Sequence, residues 1–188
     1  MRAVIDVGGG TRDIFGAGVF DYFLEHEVTF DRCYGVSAGG ANIASFIAGQ
    51  QFRNYEFYTE YAMRKEYMSF DNFIKTGSYV DLDYVYGTLS NSYGEYPLDY
   101  EAFKENPAEF ILVATEAKTG ETKYFTKDDI SKNNYAPLNA SSCVPVVNKP
   151  YEINDVEYFD GGLAVVEKDG KYGFVNEKGE VVIPIEYT

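Results

Sequence analysis

The sequence predicts an α/β protein with a mainly parallel central sheet, because two strand–loop–helix units follow one another near its start. Residues 3–7 form a short apolar run typical of a buried strand, and the glycines at 8–10 lead into an apolar periodicity at helical spacing over residues 14–24. The sequence Gly-x-Ser-x-Gly at 35–39 and a small, apolar stretch at 41–48 repeat this pattern. Connections of this kind place parallel strands side by side, with both loops at one edge of the sheet.

Ser37 is the central residue of a predicted nucleophile elbow, the sharp strand-to-helix turn that exposes a serine hydroxyl above a sheet. Gly35 and Gly39 leave room on either side, where a Cβ atom would clash with the neighbouring strand and helix. A serine in an ordinary turn is the alternative, because a pattern with three fixed residues also occurs by chance. Motifs elsewhere in the chain therefore have to decide between the two.

The glycine loop at residues 8–12 joins a strand to the N-terminus of a helix, where free N–H groups and the helix dipole favour negative charge. One interpretation is an oxyanion hole, whose N–H groups stabilise the charge formed when a serine attacks an ester. A dinucleotide-binding loop is a second interpretation, although Asp13 occupies the place of its third glycine and Asp31 precedes the second strand instead of following it. The third interpretation is a loop that only turns the chain.

A serine nucleophile needs a base, and the single histidine of the chain, His26, is badly placed for that role. It lies at the far end of the first predicted helix, on the order of 20 Å from the glycine loop. We therefore expect a carboxylate to take the proton. Asp160, which is followed by two glycines, comes directly after a hairpin predicted over residues 151–159 with its turn at 154–155. An Asp-Gly-Gly sequence is by itself more often a plain turn, so its pairing with Ser37 is a specific prediction.

These three motifs, in this order, resemble the pattern of the patatin-like phospholipases, and residues 1–164 are similar to bacterial members of that family. The resemblance implies a three-layer α/β fold and hydrolysis of lipid acyl esters without a metal or cofactor. It implies a catalytic dyad in which Ser37 is the nucleophile and Asp160 the base. The oxyanion-hole residues that it implies are Gly9, Gly10, Thr11 and Ala38, and the remaining motif positions are Gly8, Arg12, Gly35, Gly39, Gly161 and Gly162.

Two features depart from the family pattern. The family usually has glycine where this chain has Asp13; an outward carboxylate would cost little, whereas an inward one would oppose the charge on an oxyanion. The patatin-like pattern also stops early, so we expect the domain of residues 1–164 to be truncated at its C-terminal end. Residues 165–188 instead resemble a single WG-type β repeat, with Tyr-Gly at 172–173 in place of the name-giving pair. Such a repeat predicts a short β hairpin around residues 176–179, which cannot bury its own apolar face and therefore packs on the patatin-like domain or on a partner, or stays loose.

The composition limits the partners of the protein. A net charge of −14 over 188 residues disfavours nucleic acids and anionic lipid headgroups, but not neutral or zwitterionic lipid. No apolar run approaches the roughly 20 residues of a transmembrane helix, and no basic-then-apolar leader begins the chain, which predicts a cytoplasmic protein. Cys33 and Cys143 share no metal-like spacing and are predicted to be buried free thiols.

Residues 52–67 predict a helix with a tyrosine-rich face that packs on the sheet or lines an acyl pocket.

The leading functional hypothesis is a serine acyl hydrolase that cleaves carboxylic esters of lipids through an acyl-enzyme, in the manner of a phospholipase or lysophospholipase. Its expected partners are a lipid or small ester substrate and, at most, the surface of a membrane. The alternative is a catalytically weak or inactive patatin-like module that binds a protein partner through residues 165–188. Asp13 and the early end of the patatin-like pattern favour this alternative. A third hypothesis is dinucleotide binding at the glycine loop.

Overall fold

The computed structural model describes residues 1–162, 164–168, 171–175 and 181–187. The strands of its central sheet are β1 (Ala3–Asp6), β2 (Arg32–Val36), β3 (Glu109–Glu116), β4 (Thr122–Thr126), β5 (Tyr151–Ile153) and β6 (Val156–Asp160). Hydrogen-bonded pairs connect them in the sequence β1-β2-β3-β6-β5, and β4 also pairs with β3. β1, β2 and β3 run parallel, as the two strand–loop–helix units predict, whereas β4 and β6 pair with β3 in the antiparallel direction.

A largely buried helix follows the elbow and packs on the sheet. A Cβ atom at Gly40 would clash with the side chain of Leu112 on β3, so the helix can approach the sheet this closely only because that position is glycine. The helices are α1 (Ile14–Glu25), α2 (Ala38–Ile47), α3 (Arg53–Thr59), α4 (Phe70–Thr76), α5 (Tyr100–Glu105) and α6 (Ala136–Ser141). Shorter elements are 3₁₀ turns at Gly10–Asp13, Tyr61–Met63 and Lys127–Asp129 and a π-helical turn at Asp83–Leu89.

The predicted hairpin ahead of Asp160 is confirmed. β5 and β6 pair antiparallel, with Ile153 opposite Val156. The two turn residues between them, Asn154 and Asp155, have φ angles of 52° and 63°. Positive φ at both central residues is typical of a type I′ turn, which matches the twist of the flanking strands.

The helix predicted over residues 52–67 is wrong in its extent. α3 ends at Thr59, a short 3₁₀ turn follows, and Arg64 adopts an extended backbone. The side chain of Arg64 lies over the Tyr61 ring at 4.4 Å and forms an ion pair with Glu95 at 2.7 Å. The alternation of aromatic and charged residues therefore reflects individual tertiary contacts and not one continuous helix face.

The C-terminal residues form a second, three-stranded antiparallel sheet among the described residues. The predicted hairpin corresponds to β8 (Lys171–Val175) and β9 (Val181–Tyr187), while its expected turn at residues 176–179 lies outside the described residues. β7 (Ala164–Lys168) pairs with β8 and was not predicted. A single repeat that cannot bury an apolar face by itself gains a neighbouring strand in this way.

Two further predictions concern the cysteine side chains and the length of the apolar helices. Cys33 and Cys143 are buried free cysteines, as expected, and burial raises the pKa of both thiols to about 12. Within the described ranges, no helix combines the length and the apolarity needed to cross a bilayer.

Candidate active site

The ends of β2 and β6 meet along one edge of β3, and this meeting brings Ser37 and Asp160 together. Val36, the last residue of β2, pairs with Val113, and Asp160, the last residue of β6, pairs with the next β3 residue, Ala114. Because β4 occupies the opposite edge of β3 over the same residues, β2 and β6 share one edge. The Ser37 hydroxyl lies against the Asp160 carboxyl group at this junction, and their interaction lowers the pKa of that carboxyl group.

The elbow has the backbone geometry that exposes a serine hydroxyl. Ser37 adopts φ 55° and ψ −135°, a conformation that costs a non-glycine residue about 1–3 kcal/mol. Its N–H donates to Ser141 Oγ at 2.9 Å, and that hydroxyl donates to the carbonyl oxygen of Val113 at 2.7 Å. Ser141 therefore ties the elbow to α6 and β3. It was not predicted as a site residue, because a serine at a helix end has no sequence signature of its own.

Gly8 places the glycine loop directly against the elbow. A Cβ atom at this position would lie 2.6 Å from the carbonyl oxygen of Val36, 2.9 Å from Ser37 Cβ and 3.0 Å from Ala38 N. Its φ of 71° also lies in the left-handed region that favours glycine. The structure thus brings the two motifs together, as the βαβα start of the sequence predicts.

Two helix starts present N–H groups beside Ser37. The 3₁₀ turn begins at Gly10 with Gly9 as its N-cap, α2 begins at Ala38, and neither start is capped by a side chain of the described residues. The first N–H groups of a helix lack acceptors within the helix. Gly10, Thr11 and Ala38 line the same cavity as Ser37. This arrangement can accept a negatively charged oxygen between the loop and the elbow.

The remaining predicted motif residues shape the backbone around the site. Arg12 is exposed, and its Nε donates to the carbonyl oxygen of Gly9 at 3.4 Å, which closes the loop on itself. A Cβ atom at Gly35 would lie 2.6 Å from the Cα of Gly40, and one at Gly39 would clash with the backbone at the end of β1. These glycines allow α2 to start directly above the two parallel strands.

The carboxyl group of Asp160 is fixed by backbone contacts. The N–H of Asp160 donates to the carbonyl oxygen of Cys143 at 2.9 Å, and the N–H of Gly162 donates to Asp160 Oδ1 at 3.2 Å. Gly161 passes so close to β3 that a Cβ atom there would lie 2.7 Å from a carbonyl oxygen of that strand. Burial raises the pKa of Asp160, while hydrogen bonds from Ser37 and from the two glycine N–H groups oppose that rise. The net rise makes this carboxylate a stronger base than a solvated aspartate.

Asp13 points inward, which answers the question that the sequence leaves open. It is only 8% exposed, and its carboxylate accepts a hydrogen bond from Asn42 Nδ2 at 2.8 Å. The same amide donates to Asp6 Oδ2 at 3.1 Å, and Asp6 Oδ1 accepts the N–H of Gly8 at 3.0 Å. Burial and the neighbouring Asp6 carboxylate raise the pKa of Asp13 to about 8, and burial also raises the pKa of Asp6. The two carboxyl groups can therefore share a proton at neutral pH, next to the glycine loop.

A cavity of about 380 Å³ opens beside Ser37. Its walls are mostly apolar and aromatic, which suits an acyl chain. α3 contributes Phe57 and Tyr58 to the wall, whereas Tyr61 packs on Phe57 with ring centroids 5.0 Å apart. The tyrosine-rich segment therefore contributes to the cavity wall, which is one of its two predicted roles, and the Phe57–Tyr61 contact lies within the segment and does not test its predicted packing on the sheet. Other lining residues include Arg53, Leu82, Val85, Tyr86, Val144 and Val147.

His26 lies at the opposite end of α1 from the glycine loop. It is the C-cap of that helix, with Nδ1 2.9 Å from the carbonyl oxygen of Tyr22 and its ring stacked on the Tyr22 ring at 3.8 Å. The prediction that His26 does not act as the base for Ser37 agrees with this position. Asp160 is the titratable group that the structure brings to the serine hydroxyl.

Comparisons with known proteins agree with the motifs. The family model of the patatin-like phospholipases matches residues 7–166, and a model of the WG-containing repeat matches residues 172–188. One relative is the uncharacterized protein YjjU of Escherichia coli (strain K12), which is 26% identical over 175 residues. The match covers 86% of this chain and 45% of that protein, so the chain spans less than half of the relative's length. The chain belongs to the patatin-like phospholipase family.

Proposed function

We propose that this protein hydrolyses carboxylic esters of lipids through an acyl-enzyme on Ser37, with Asp160 as the base. The strongest support is the meeting of β2 and β6 on one edge of β3, where the Ser37 hydroxyl lies against the half-buried carboxyl group of Asp160. The strained elbow, the uncapped helix starts and the apolar cavity are consistent with the same chemistry. The family of the chain supports lipid acyl esters as the class of substrate.

In the first half-reaction Asp160 accepts the proton of the Ser37 hydroxyl as Oγ attacks the acyl carbonyl carbon. N–H groups of the glycine loop and of Ala38 stabilise the negative charge that forms on the carbonyl oxygen. When the tetrahedral intermediate collapses, the ester C–O bond breaks and the leaving alcohol takes the proton from Asp160. The acyl group stays on Ser37.

In the second half-reaction water replaces the alcohol. Asp160 accepts a proton from the water as its oxygen attacks the acyl-serine carbonyl, and the same N–H groups hold the oxyanion again. Collapse returns the proton to Ser37 Oγ and releases the carboxylic acid. A carboxylate whose pKa is raised can act in both steps, so no histidine is required.

An exposed apolar rim beside the cavity supports contact with lipid surfaces. On α4, Phe70 and Ile74 are 68% and 69% exposed, and Val146 is 92% exposed. Tyr79 donates its N–H to the carbonyl oxygen of Val147 at 2.8 Å, and both residues line the cavity. An acyl chain could pass from a bilayer to Ser37 along this rim with little exposure to water. The net charge of −14 favours zwitterionic lipid over anionic lipid.

A catalytically weak binding module is the second candidate, and one observation favours it. Asp13, in place of the glycine usual in the family, lies in a buried carboxyl pair that reaches the glycine loop through Asp6 and Gly8. Negative charge at this position opposes the formation of an oxyanion. On this reading, the C-terminal sheet would contact a protein partner. A proton shared by Asp6 and Asp13 lowers the negative charge of the pair and so reduces its opposition to an oxyanion. The hydrolase proposal is therefore the better supported of the two.

A fluorophosphonate probe, combined with hydrolysis of 4-nitrophenyl butyrate, tests the two candidates. We expect the wild type to be labelled and to hydrolyse the ester, and Ser37→Ala to do neither. Ser142→Ala is the matched control, because Ser142 is a second serine in the cavity wall, and its label should persist. A folded wild type that is neither labelled nor active on short or long esters would favour the binding module.

Flotation with phosphatidylcholine vesicles tests the lipid contact separately. The double variant Phe70→Ser, Ile74→Ser should bind vesicles more weakly than the wild type, because burial of these side chains in the bilayer is lost. Tyr93→Ser is the matched control, since Tyr93 is 92% exposed but does not line the cavity or belong to α4. Equal binding of the double variant and the wild type would exclude this rim as the contact surface.

A further inference from the structure

Arg53 is a buried cation in the wall of the cavity that contains Ser37. It is the first residue of α3 and is only 5% exposed. Its Nη1 donates to Ser45 Oγ at 3.1 Å, and its Nη2 donates to Ser90 Oγ at 2.9 Å and to the carbonyl oxygen of Tyr96 at 3.1 Å. The guanidinium also lies 4.6 Å from the centroid of the Phe57 ring. All of these partners are uncharged.

The positive charge of Arg53 is left without a carboxylate in the described part of the chain. The ion pairs found there involve other cations, and the Nε–H of Arg53 has no hydrogen-bond partner. Burial lowers the pKa of Arg53 to about 10, so the group still carries its charge at neutral pH. A buried charge without a counter-ion is strongly unfavourable, and an anionic ligand in the cavity would offset that cost.

The cation lies about two turns of α2 away from Ser37. The contact with Ser45 places the guanidinium beside the C-terminal half of α2, whereas Ser37 immediately precedes that helix. Ser45 is seven residues beyond Ala38, which corresponds to a rise of about 10 Å along the helix. Ala41 lines the cavity from the turn between them. The cavity thus connects the reacting serine to a cation along one side of α2.

We propose that Arg53 binds a carboxylate at the far end of the substrate's acyl chain, so that the preferred substrates are esters of acyl chains that end in a carboxylate. This inference rests on the proposed hydrolase function and adds a specificity-determining residue to it. A carboxylate would neutralise the guanidinium, and Nη1, which donates one hydrogen bond to Ser45, has a second N–H for it. The apolar middle of the chain would fill the cavity between Ser37 and Arg53.

The separation from Ser37 favours a chain-end carboxylate over the phosphate of a phospholipid. In a glycerophospholipid the phosphate belongs to the leaving group and lies only a few bonds from the reacting ester. Arg53 is about 10 Å away along α2, in a cavity whose walls are largely apolar. An acyl chain of suitable length can span that distance and carry its terminal carboxylate to the guanidinium.

Pairs of esters that differ only at the chain end test this proposal. The 4-nitrophenyl monoesters of α,ω-dicarboxylic acids would be compared with the 4-nitrophenyl esters of fatty acids of the same length. At the length that reaches Arg53, kcat/KM should be higher for the carboxylate-ended ester. Arg53→Gln should lower this preference by at least about tenfold, because a hydrogen bond to a charged group is lost. Arg53→Lys keeps the charge and should retain part of the preference.

Arg64 provides the matched control, because its guanidinium also lies over an aromatic ring, that of Tyr61, but pairs with Glu95 outside the cavity. Arg64→Gln should leave the preference unchanged. If both ester series are hydrolysed in a Ser37-dependent way without any preference for the carboxylate end, the proposal for Arg53 is overturned and the hydrolase function stands. Absence of turnover with every ester would instead count against the hydrolase function.

A binding measurement decides the role of Arg53 without turnover. In the Ser37→Ala background, calorimetry would compare the monomethyl ester of an α,ω-dicarboxylic acid with the corresponding dimethyl ester. The monomethyl ester should bind more tightly, and Arg53→Gln should reduce its affinity by at least about tenfold. Thermal melting checks folding, and Arg53→Lys replaces the glutamine variant if that variant does not fold. Equal binding of the two esters, or a preference for the monomethyl ester that survives Arg53→Gln, would overturn the proposal.

Discussion

Two acidic regions flank the elbow, and they differ in what their carboxyl groups contact. Asp160 is held by backbone N–H groups, and its side-chain partner is the Ser37 hydroxyl. Asp6 and Asp13 lie next to each other and share the side-chain amide of Asn42. Burial raises the pKa of all three carboxyl groups. The same electrostatic cause therefore produces a candidate base in one region and a proton-sharing pair in the other.

The difference shows that a raised pKa does not by itself identify a catalytic carboxylate. The pKa of Asp13 is raised to about 8, yet its contacts are with an amide and a second carboxylate. Asp160 lies against the hydroxyl of Ser37, the proposed nucleophile, which lines a cavity, so the proposed mechanism can use its basicity on a reacting group. The neighbour of each carboxyl group, and not the size of its pKa shift, separates a catalytic role from a structural one.

The largest difference between the two regions is expected in activity. Asp160→Asn removes the base and should lower kcat for 4-nitrophenyl butyrate by about 10²–10⁴-fold. The isosteric amide should leave the free energy of unfolding in urea nearly unchanged. Asp155→Asn is the matched control, because Asp155 lies at the exposed turn of the same hairpin and asparagine tolerates its positive φ. Full turnover by a folded Asp160→Asn protein would remove Asp160 from the mechanism.

The carboxyl pair should instead affect stability. Asn42→Leu removes the amide that bonds both Asp6 and Asp13, and the loss should be about 1–3 kcal/mol of the free energy of unfolding, because buried acceptors are left without a donor. Urea denaturation measures this loss. Asn72→Leu is a suitable control, since the exposed amide of Asn72 also bonds two oxygens but can be replaced by water. Equal losses for the two variants would show that the buried cluster does not stabilise the fold.

The parallel strands and the meeting of loop and elbow could be predicted from the sequence because they depend on local patterns. The glycines at 8 and 35 report close backbone approaches, and the strand–loop–helix order dictates which edge the loops share. The turn at Asn154 and Asp155 was predictable for the same reason, since both residues tolerate positive φ. Local rules failed over residues 52–67. The spacing of aromatic and charged residues there resembles that of a helix face, but these side chains make separate tertiary contacts.

The supporting residues of the site could not be predicted, because their roles depend on long-range contacts. Asp6 reads as the polar end of a strand, Asn42 as one polar residue in a small-residue helix, and Ser141 as a helix end. Each acquires its role from partners far away in sequence; Ser37 and Ser141, for example, are 104 positions apart. Arg53 belongs to the same class, since its burial among uncharged partners is not visible in the sequence.

The pH dependence of the free energy of unfolding gives a smaller effect that is specific to the Asp6–Asp13 pair. Between the ordinary aspartate pKa of 3.8 and about 8, the folded protein retains a proton on Asp13 that the unfolded chain has lost. The contribution of the pair to the free energy of unfolding should therefore decrease as pH rises through this range. Asp13→Asn cannot titrate and should flatten the decrease in urea denaturation series across that range. The same slope in the variant as in the wild type would assign the effect to other groups, and Asp155→Asn should keep the wild-type slope.

The smallest expected effect is in the pH profile of activity, and it tests whether the two regions act independently. Asp160 must be ionised to accept the serine proton, and burial raises its pKa above the ordinary 3.8. Hydrolysis should therefore rise with pH through a midpoint above that of a solvated aspartate, as measured by kcat/KM for a short ester over the acid range. Asp13→Asn should leave this midpoint in place, because Asp13 bonds Asn42 and not Ser37. A midpoint that moves in Asp13→Asn would show that the proton shared beneath the glycine loop also controls the base, and that the two acidic regions titrate as one coupled group.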